Sequence, residues 1–148
     1  FTYAFTETVP QLVAAFKPDI VVSQLGVDTF RNDPLAHLNI TTNGFCRVVG
    51  MIKSIAPKWV ALGGGGYDIG NVARAWTLAW AIMNNITLPD ELPEAFLEQY
   101  PLEGFRSRKL RDEEYQEKGP RKEIMRDEVG KVIAGIREKV FPLINPPA

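Results

Sequence analysis

The chain has 148 residues, a formal charge of -1 and 45% hydrophobic residues, which suits one folded domain and excludes a disordered chain. So small a net charge gives no whole-chain drive toward nucleic acid. The single cysteine, Cys46, excludes an internal disulfide framework. No run approaches the roughly 20 apolar residues that cross a bilayer, and the N-terminus does not read as a signal peptide, so no membrane partner and a cytoplasmic location are expected.

Val9, Leu12, Val13 and Phe16 recur at helical spacing until Pro18 ends that element. Asp19 to Gln24 then reads as a buried parallel strand opening into Leu25-Gly26-Val27-Asp28-Thr29. Asp28 therefore falls at a strand's C-terminal end, the edge of an open α/β sheet where ligands collect. Residues 25–40 form a long loop, of the kind found beside functional sites. Within it Asp33 reads as a turn or capping residue, and His37, the one histidine, as a structural or loop histidine.

Thr41 or Thr42 can cap the next helix, whose Phe45, Val48, Val49, Ile52 and Ile55 make one apolar stripe before Pro57. Cys46 within it reads as a small buried side chain rather than a nucleophile. The apolar run from Trp59 to Leu62 leads into four glycines, Gly63 to Gly66, and Tyr67. Consecutive glycines are costly in conformational entropy, so they mark a backbone that takes positive φ or lets something approach closely. A third helix follows, with Ile69, Val72, Ala73, Trp76, Trp80 and Met83 predicted on its core face.

Helix, strand, helix, strand, helix in this order is the pattern of a parallel βαβ arrangement, which gives an α/β fold class. Two neighbouring strands then deliver a carboxylate and a phenol to one crevice, where the first can bind a metal and the second stabilise an oxyanion. Near Leu88 the composition changes. Pro89, Pro93 and Pro101 break the chain, charges of both signs fill the stretch from Arg106 to Lys139, and Pro142, Pro146 and Pro147 close it. The basic cluster from Arg106 to Arg111 runs straight into Asp112, Glu113 and Glu114, a solvated surface rather than a nucleic-acid patch. Val129, Val132, Ile133, Ile136 and Val140 predict an amphipathic helix. Residues 1–88 are read as the α/β portion and 89–148 as a charged, mainly helical appendage.

Gln24-Leu25-Gly26-Val27-Asp28-Thr29, Asn32-Asp33-Pro34-Leu35, and Leu62 to Tyr67 followed by Asn71-Val72-Ala73-Arg74-Ala75-Trp76-Thr77 resemble the zinc-dependent histone deacetylase family, in detail its bacterial acetoin-utilisation branch. The resemblance implies a three-layer arginase/deacetylase-type α/β fold with a parallel sheet, of which this chain carries the C-terminal portion. It implies that Asp28 is a zinc ligand and that Tyr67 polarises the acetyl carbonyl. It places Leu35 in the wall of the acyl-lysine pocket, and Gly64 and Gly65 along the channel for the substrate's aliphatic stem. The implied substrate is acetylated lysine or a related acylated amine.

The family's second aspartate, its zinc-bound histidine and its proton-transferring histidine pair have no counterpart here, and the context of His37 matches none of its histidine motifs. The isolated chain is therefore expected to be inactive, to lack zinc, and to self-associate over the sheet edge and face that the missing part would cover. Pro34 and Gly70 stand where corepressor-bound members carry arginines for an inositol phosphate, so neither that ligand nor that complex is expected. Two other readings are a non-catalytic interaction domain on the same fold and a phosphate-binding module using the Gly63 to Gly66 turn. The second is weakened because no register gives G-x-G-x-x-G and no P-loop Lys-Ser/Thr follows.

Overall fold

The computed structural model describes residues 1–36, 38–100, 107–115 and 117–144. His37, Pro101, Arg106, Pro146 and Pro147 lie outside them. Helix α1 runs Thr2–Phe16, strand β1 Val21–Gln24, α2 Thr42–Ile55, β2 Trp59–Leu62 and α3 Ile69–Met83. Then come α4 at Glu94–Gln99, α5 at Pro120–Lys139 and the short α6 at Phe141–Ile144. The two strands pair in parallel, Val21 opposite Trp59 and Gln24 opposite Leu62, joined by the α2 crossover.

Alternation along the strands decides which side of the sheet is covered. Val21, Trp59 and Ala61 pack against the core beneath α2 and α3, and the Trp59 indole N–H donates to Ser23 Oγ at 2.7 Å. Val22, Val60 and Leu62 point the other way, with Val22 61% exposed. The strand expected from Asp19 as fully buried is thus shorter, starting at Val21, and only half covered. Among the described residues one layer of helices packs on this sheet, and Val22, Val60 and Leu62 on its opposite face are exposed.

Helix α2 buries Phe45, Val48, Val49 and Ile52, as its stripe predicts, with Thr41 Oγ1 accepting from Gly44 N at its start. Phe30 meets Phe45 edge-on at 5.6 Å between ring centres. Cys46 is half-buried against this core, and burial pushes its thiol above the ordinary range, which keeps it a neutral side chain.

The predicted core face of α3 needs correction. Ile69 and Trp80 are exposed and Trp76 only half-buried, whereas Asn71, Arg74, Ala75, Leu78 and Ala79 are buried. Two polar residues go inside because residues 107–115 lie across the starts of α2 and α3 as a strap. Asp112 accepts from Arg74 Nη1 at 2.8 Å and from Thr42 N at 2.8 Å, and its own N–H donates to Thr42 Oγ1 at 2.7 Å. Arg74 Nη2 also donates to Asn71 Oδ1 at 2.9 Å. A buried guanidinium with these partners is stable where an unpaired one would not be.

Helices α5 and α6 pack on α1, and Arg137 pairs with Glu7 at 2.6 Å. Three positions of the apolar spacing in α1 and α5 are exposed, Phe16 at the end of α1 and Val132 and Val140 on and just after α5, while Ile133 carries the buried contact of α5. No helix among the described residues is long and apolar enough to cross a membrane.

Candidate active site

Beyond the last paired residues the two strands stay zipped together. Leu25 N donates to Leu62 O at 2.8 Å, and the Gly65 carbonyl accepts from Val27 N at 2.6 Å and Asp28 N at 3.2 Å. These bonds draw the glycine turn against the loop that follows β1, backbone on backbone. A Cβ at Gly64 would lie 2.7 Å from the Gly26 Cα, and one at Gly65 would overlap the Asp28 carboxylate. Gly64 and Gly65 are needed here for close approach, and Gly66 combines close approach with a positive φ of 158°.

Asp28 is half-buried at this junction, its carboxylate resting against Gly26 and Gly65. Among the described residues no hydrogen bond or ion pair engages its oxygens. A half-buried carboxylate in that state fits a role as a ligand to a cation. It is a single donor, however: among the described residues no three His, Cys, Asp or Glu side chains come together as a metal-binding group. The residues present thus fit one corner of a zinc site, not a complete one.

Tyr67 ends the glycine turn one residue before Asp68, which caps α3 by accepting from Asn71 N at 2.9 Å. Tyr67 is 57% exposed. Leu35, 64% exposed, stands on the neighbouring loop, and Gly64 is exposed beside it in the turn. Asp33 lies between these two segments and is buried. Its Oδ1 accepts from Leu35 N at 2.9 Å, closing the expected turn, and its Oδ2 accepts from Tyr67 N at 2.8 Å. Burial acts to raise its pKa, but the backbone amides of Leu35, Tyr67, Ala36 and Asp68 outweigh burial and hold the carboxyl below its ordinary value of 3.8.

The structure therefore brings Asp28, Gly64, Gly65, Tyr67 and Leu35 to one end of the sheet, with Asp33 as an unforeseen tie between them. A sequence signal existed in Asn32-Asp33-Pro34, a turn former, but its second partner is 34 residues away. Carboxylates at 28, 33 and 68 surround the glycine turn, which opposes its use as a phosphate nest. Pro34 is exposed and Gly70 buried, and neither offers a cation.

The carboxylate of Asp28 and the tyrosine Tyr67 thus lie on the turns that follow two adjacent parallel strands, the second of which leads into α3. The chain belongs to the histone deacetylase family: the histone deacetylase domain matches residues 1–83. It is 36% identical over 103 residues to the acetoin utilization protein AcuC of Bacillus subtilis, covering 66% of this chain and 27% of that protein. It is 35% identical over 94 residues to Histone deacetylase 8 of Danio rerio, covering 64% and 25%, and 38% identical over 89 residues to Histone deacetylase 1 of Homo sapiens, covering 60% and 18%. It superposes on a crystal structure of an HDAC homolog complexed with SAHA with a TM-score of 0.71 and 27% identity, over 89% of this chain and 38% of that one. The fold is thus the deacetylase fold, and the chain spans 27% or less of these curated relatives.

Proposed function

We propose that this chain forms one side of the active site of a zinc-dependent deacetylase that hydrolyses the acetyl amide of acetyl-lysine or a related acylated amine. The observation that carries the reading is that the Asp28 carboxylate, without a hydrogen bond or ion pair among the described residues, and the exposed Tyr67 lie on the turns that follow the paired strands β1 and β2, in a chain of this family.

In this reading Asp28 is one protein ligand of the zinc, and the other ligands come from residues outside this chain. The metal, when bound, supplies a water acidic enough to act as nucleophile at neutral pH. Tyr67 donates its hydroxyl proton in a hydrogen bond to the oxygen that gains charge as the acetyl carbonyl is attacked. Gly64 and Gly65 leave room for the substrate's aliphatic stem, and Leu35 lines the acyl pocket. By itself the chain is inactive and does not retain zinc, because one carboxylate cannot hold a catalytic ion that takes three protein ligands.

Residues 1–88 are the catalytic α/β portion and 89–148 an appendage that braces it through the strap, with no inositol phosphate bound. The open face of Val22, Val60 and Leu62 leads the isolated chain to self-associate.

The test is zinc content and acetyl-lysine hydrolysis, measured side by side on this chain and on a polypeptide spanning the whole deacetylase domain that contains it. Zinc and turnover in the longer polypeptide alone are expected. There, Tyr67→Phe lowers kcat by roughly 10²- to 10³-fold with little change in KM, and Asp28→Asn lowers zinc occupancy. Turnover by the 148-residue chain alone refutes the incomplete site, and turnover by neither transfers the reading to a non-catalytic interaction domain.

A further inference from the structure

The glycine turn poses a mechanical problem. Gly63 to Gly66 carry no side chains to pack, and Tyr67 is 57% exposed, so the ring's own packing does little to fix where the side chain starts. Its placement is set by the backbone. That backbone is held on one side by the Gly65 carbonyl and on the other by a buried carboxylate from a different segment.

We propose that Asp33 is a positioning residue whose two carboxylate oxygens set Tyr67 and Leu35 relative to one another, by holding the amide of each at 2.8 and 2.9 Å. The inference rests on the deacetylase reading for the roles of those two side chains, but the tie itself is a property of this chain.

Three observations carry it. Asp33 is 4% exposed, and its hydrogen-bond partners among the described residues are backbone amides rather than cations, so the carboxylate is spent on the backbone. The two amides it binds belong to the loop that follows β1 and to the end of the glycine turn, 32 positions apart in sequence. A charged acceptor makes the stronger class of hydrogen bond, and at 2.8 and 2.9 Å both have the length of that class. The lowered pKa agrees, since the carboxylate stays ionised and able to accept from both amides together.

A side chain that merely stabilised the 30–35 loop would need only the Leu35 bond. The bond to Tyr67 adds nothing to that loop's own turn. It does fix the origin of the Tyr67 side chain, from which the hydroxyl must reach the substrate carbonyl. It also means that a shift of the Leu35 wall moves Tyr67 with it, so acyl-group fit and carbonyl polarisation are coupled through one residue.

The experiment is amide hydrogen exchange by NMR on this chain as wild type, Asp33→Asn and Asp33→Ala, joined to kinetics of Asp33→Asn in the polypeptide spanning the whole domain. In Asp33→Ala both the Leu35 and Tyr67 amides are expected to exchange roughly ten- to hundredfold faster, the loss of a hydrogen bond to a charged group, while Val48, Val49 and Leu78 keep their protection. In Asp33→Asn, which turns an NH2 toward one amide, one of the two is released and the other held. This graded pattern is one that general loosening does not produce.

Unchanged exchange at Tyr67 in Asp33→Ala overturns the tie, as does release of neither amide in Asp33→Asn, and loss of core protection in Asp33→Asn makes the residue a structural one. Kinetically, Asp33→Asn is expected to lower kcat at least tenfold; unchanged kcat with the exchange pattern present overturns the positioning role. Because the exchange result involves no turnover, failure of the deacetylase reading and failure of the tie are separately visible.

Discussion

Asp112→Ala tests the bracing of α3 by the strap. The Arg74 side chain is 7% exposed and that of Asp112 27%, with 2.8 Å between Nη1 and Oδ1. Removing the carboxylate leaves a buried guanidinium with Asn71 Oδ1 and a long 3.5 Å approach to the Lys109 carbonyl. Breaking such a pair costs about 3–5 kcal/mol, and partial access of water to Asp112 favours the lower figure. The Thr42 N–H at the start of α2 also loses its acceptor, worth about 1 kcal/mol. Against a total stability of about 5–15 kcal/mol, a combined loss near 4 kcal/mol is large, and it lowers Tm by about 8–16 °C for a chain of this size. Circular dichroism during thermal and urea denaturation reads it. The paired change Arg74→Met with Asp112→Leu should recover most of the loss, since apolar residues of similar volume replace buried ion pairs at little cost. If Asp112→Ala unfolds within about 1 kcal/mol of the wild type, the pair does not brace the helix and the argument fails.

Gly64→Ala should displace the glycine turn, because the added methyl meets the Gly26 backbone rather than a side chain that could yield. A loss of about 1–3 kcal/mol is expected, with amide shifts at Gly26 and Asp28; an unperturbed spectrum would contradict the close packing. Val60→Asp puts a charge on the open sheet face, so sedimentation of the isolated chain should move toward the monomer. Wild-type chain that is already monomeric across micromolar concentrations would remove the case for self-association.

The parts of this fold that sequence revealed are those governed by local rules. Thr41 followed by the Phe45 to Ile52 stripe is an amphipathic, capped helix by pattern alone, and the Trp59 to Tyr67 run is a strand entering a glycine turn. The α3 face was less legible because Arg74 is buried by a partner 38 residues further on, so its burial is invisible to hydrophobic periodicity. Trp80 and Ile69 read as core by the same periodicity and are exposed, since the helix turns its small residues Ala75 and Ala79 toward the core instead. At the site, Asp28 and Tyr67 were legible as strand-end residues. Asp33 gave away its turn but not its tie to Tyr67, a contact created only when the two strands pair.

The strap also has a consequence for the order in which the chain assembles. Asp112 and Thr42 are 70 residues apart, so their bonds close a long loop at an entropic cost that nothing local offsets. Helix α2 and helix α3, separated by one strand and a short turn, can meet much earlier in a search. The strap is then the last piece to settle and the first to lift: when it lifts, the start of α2 and the Arg74 side chain return to water together while the Phe45 to Ile52 core remains packed.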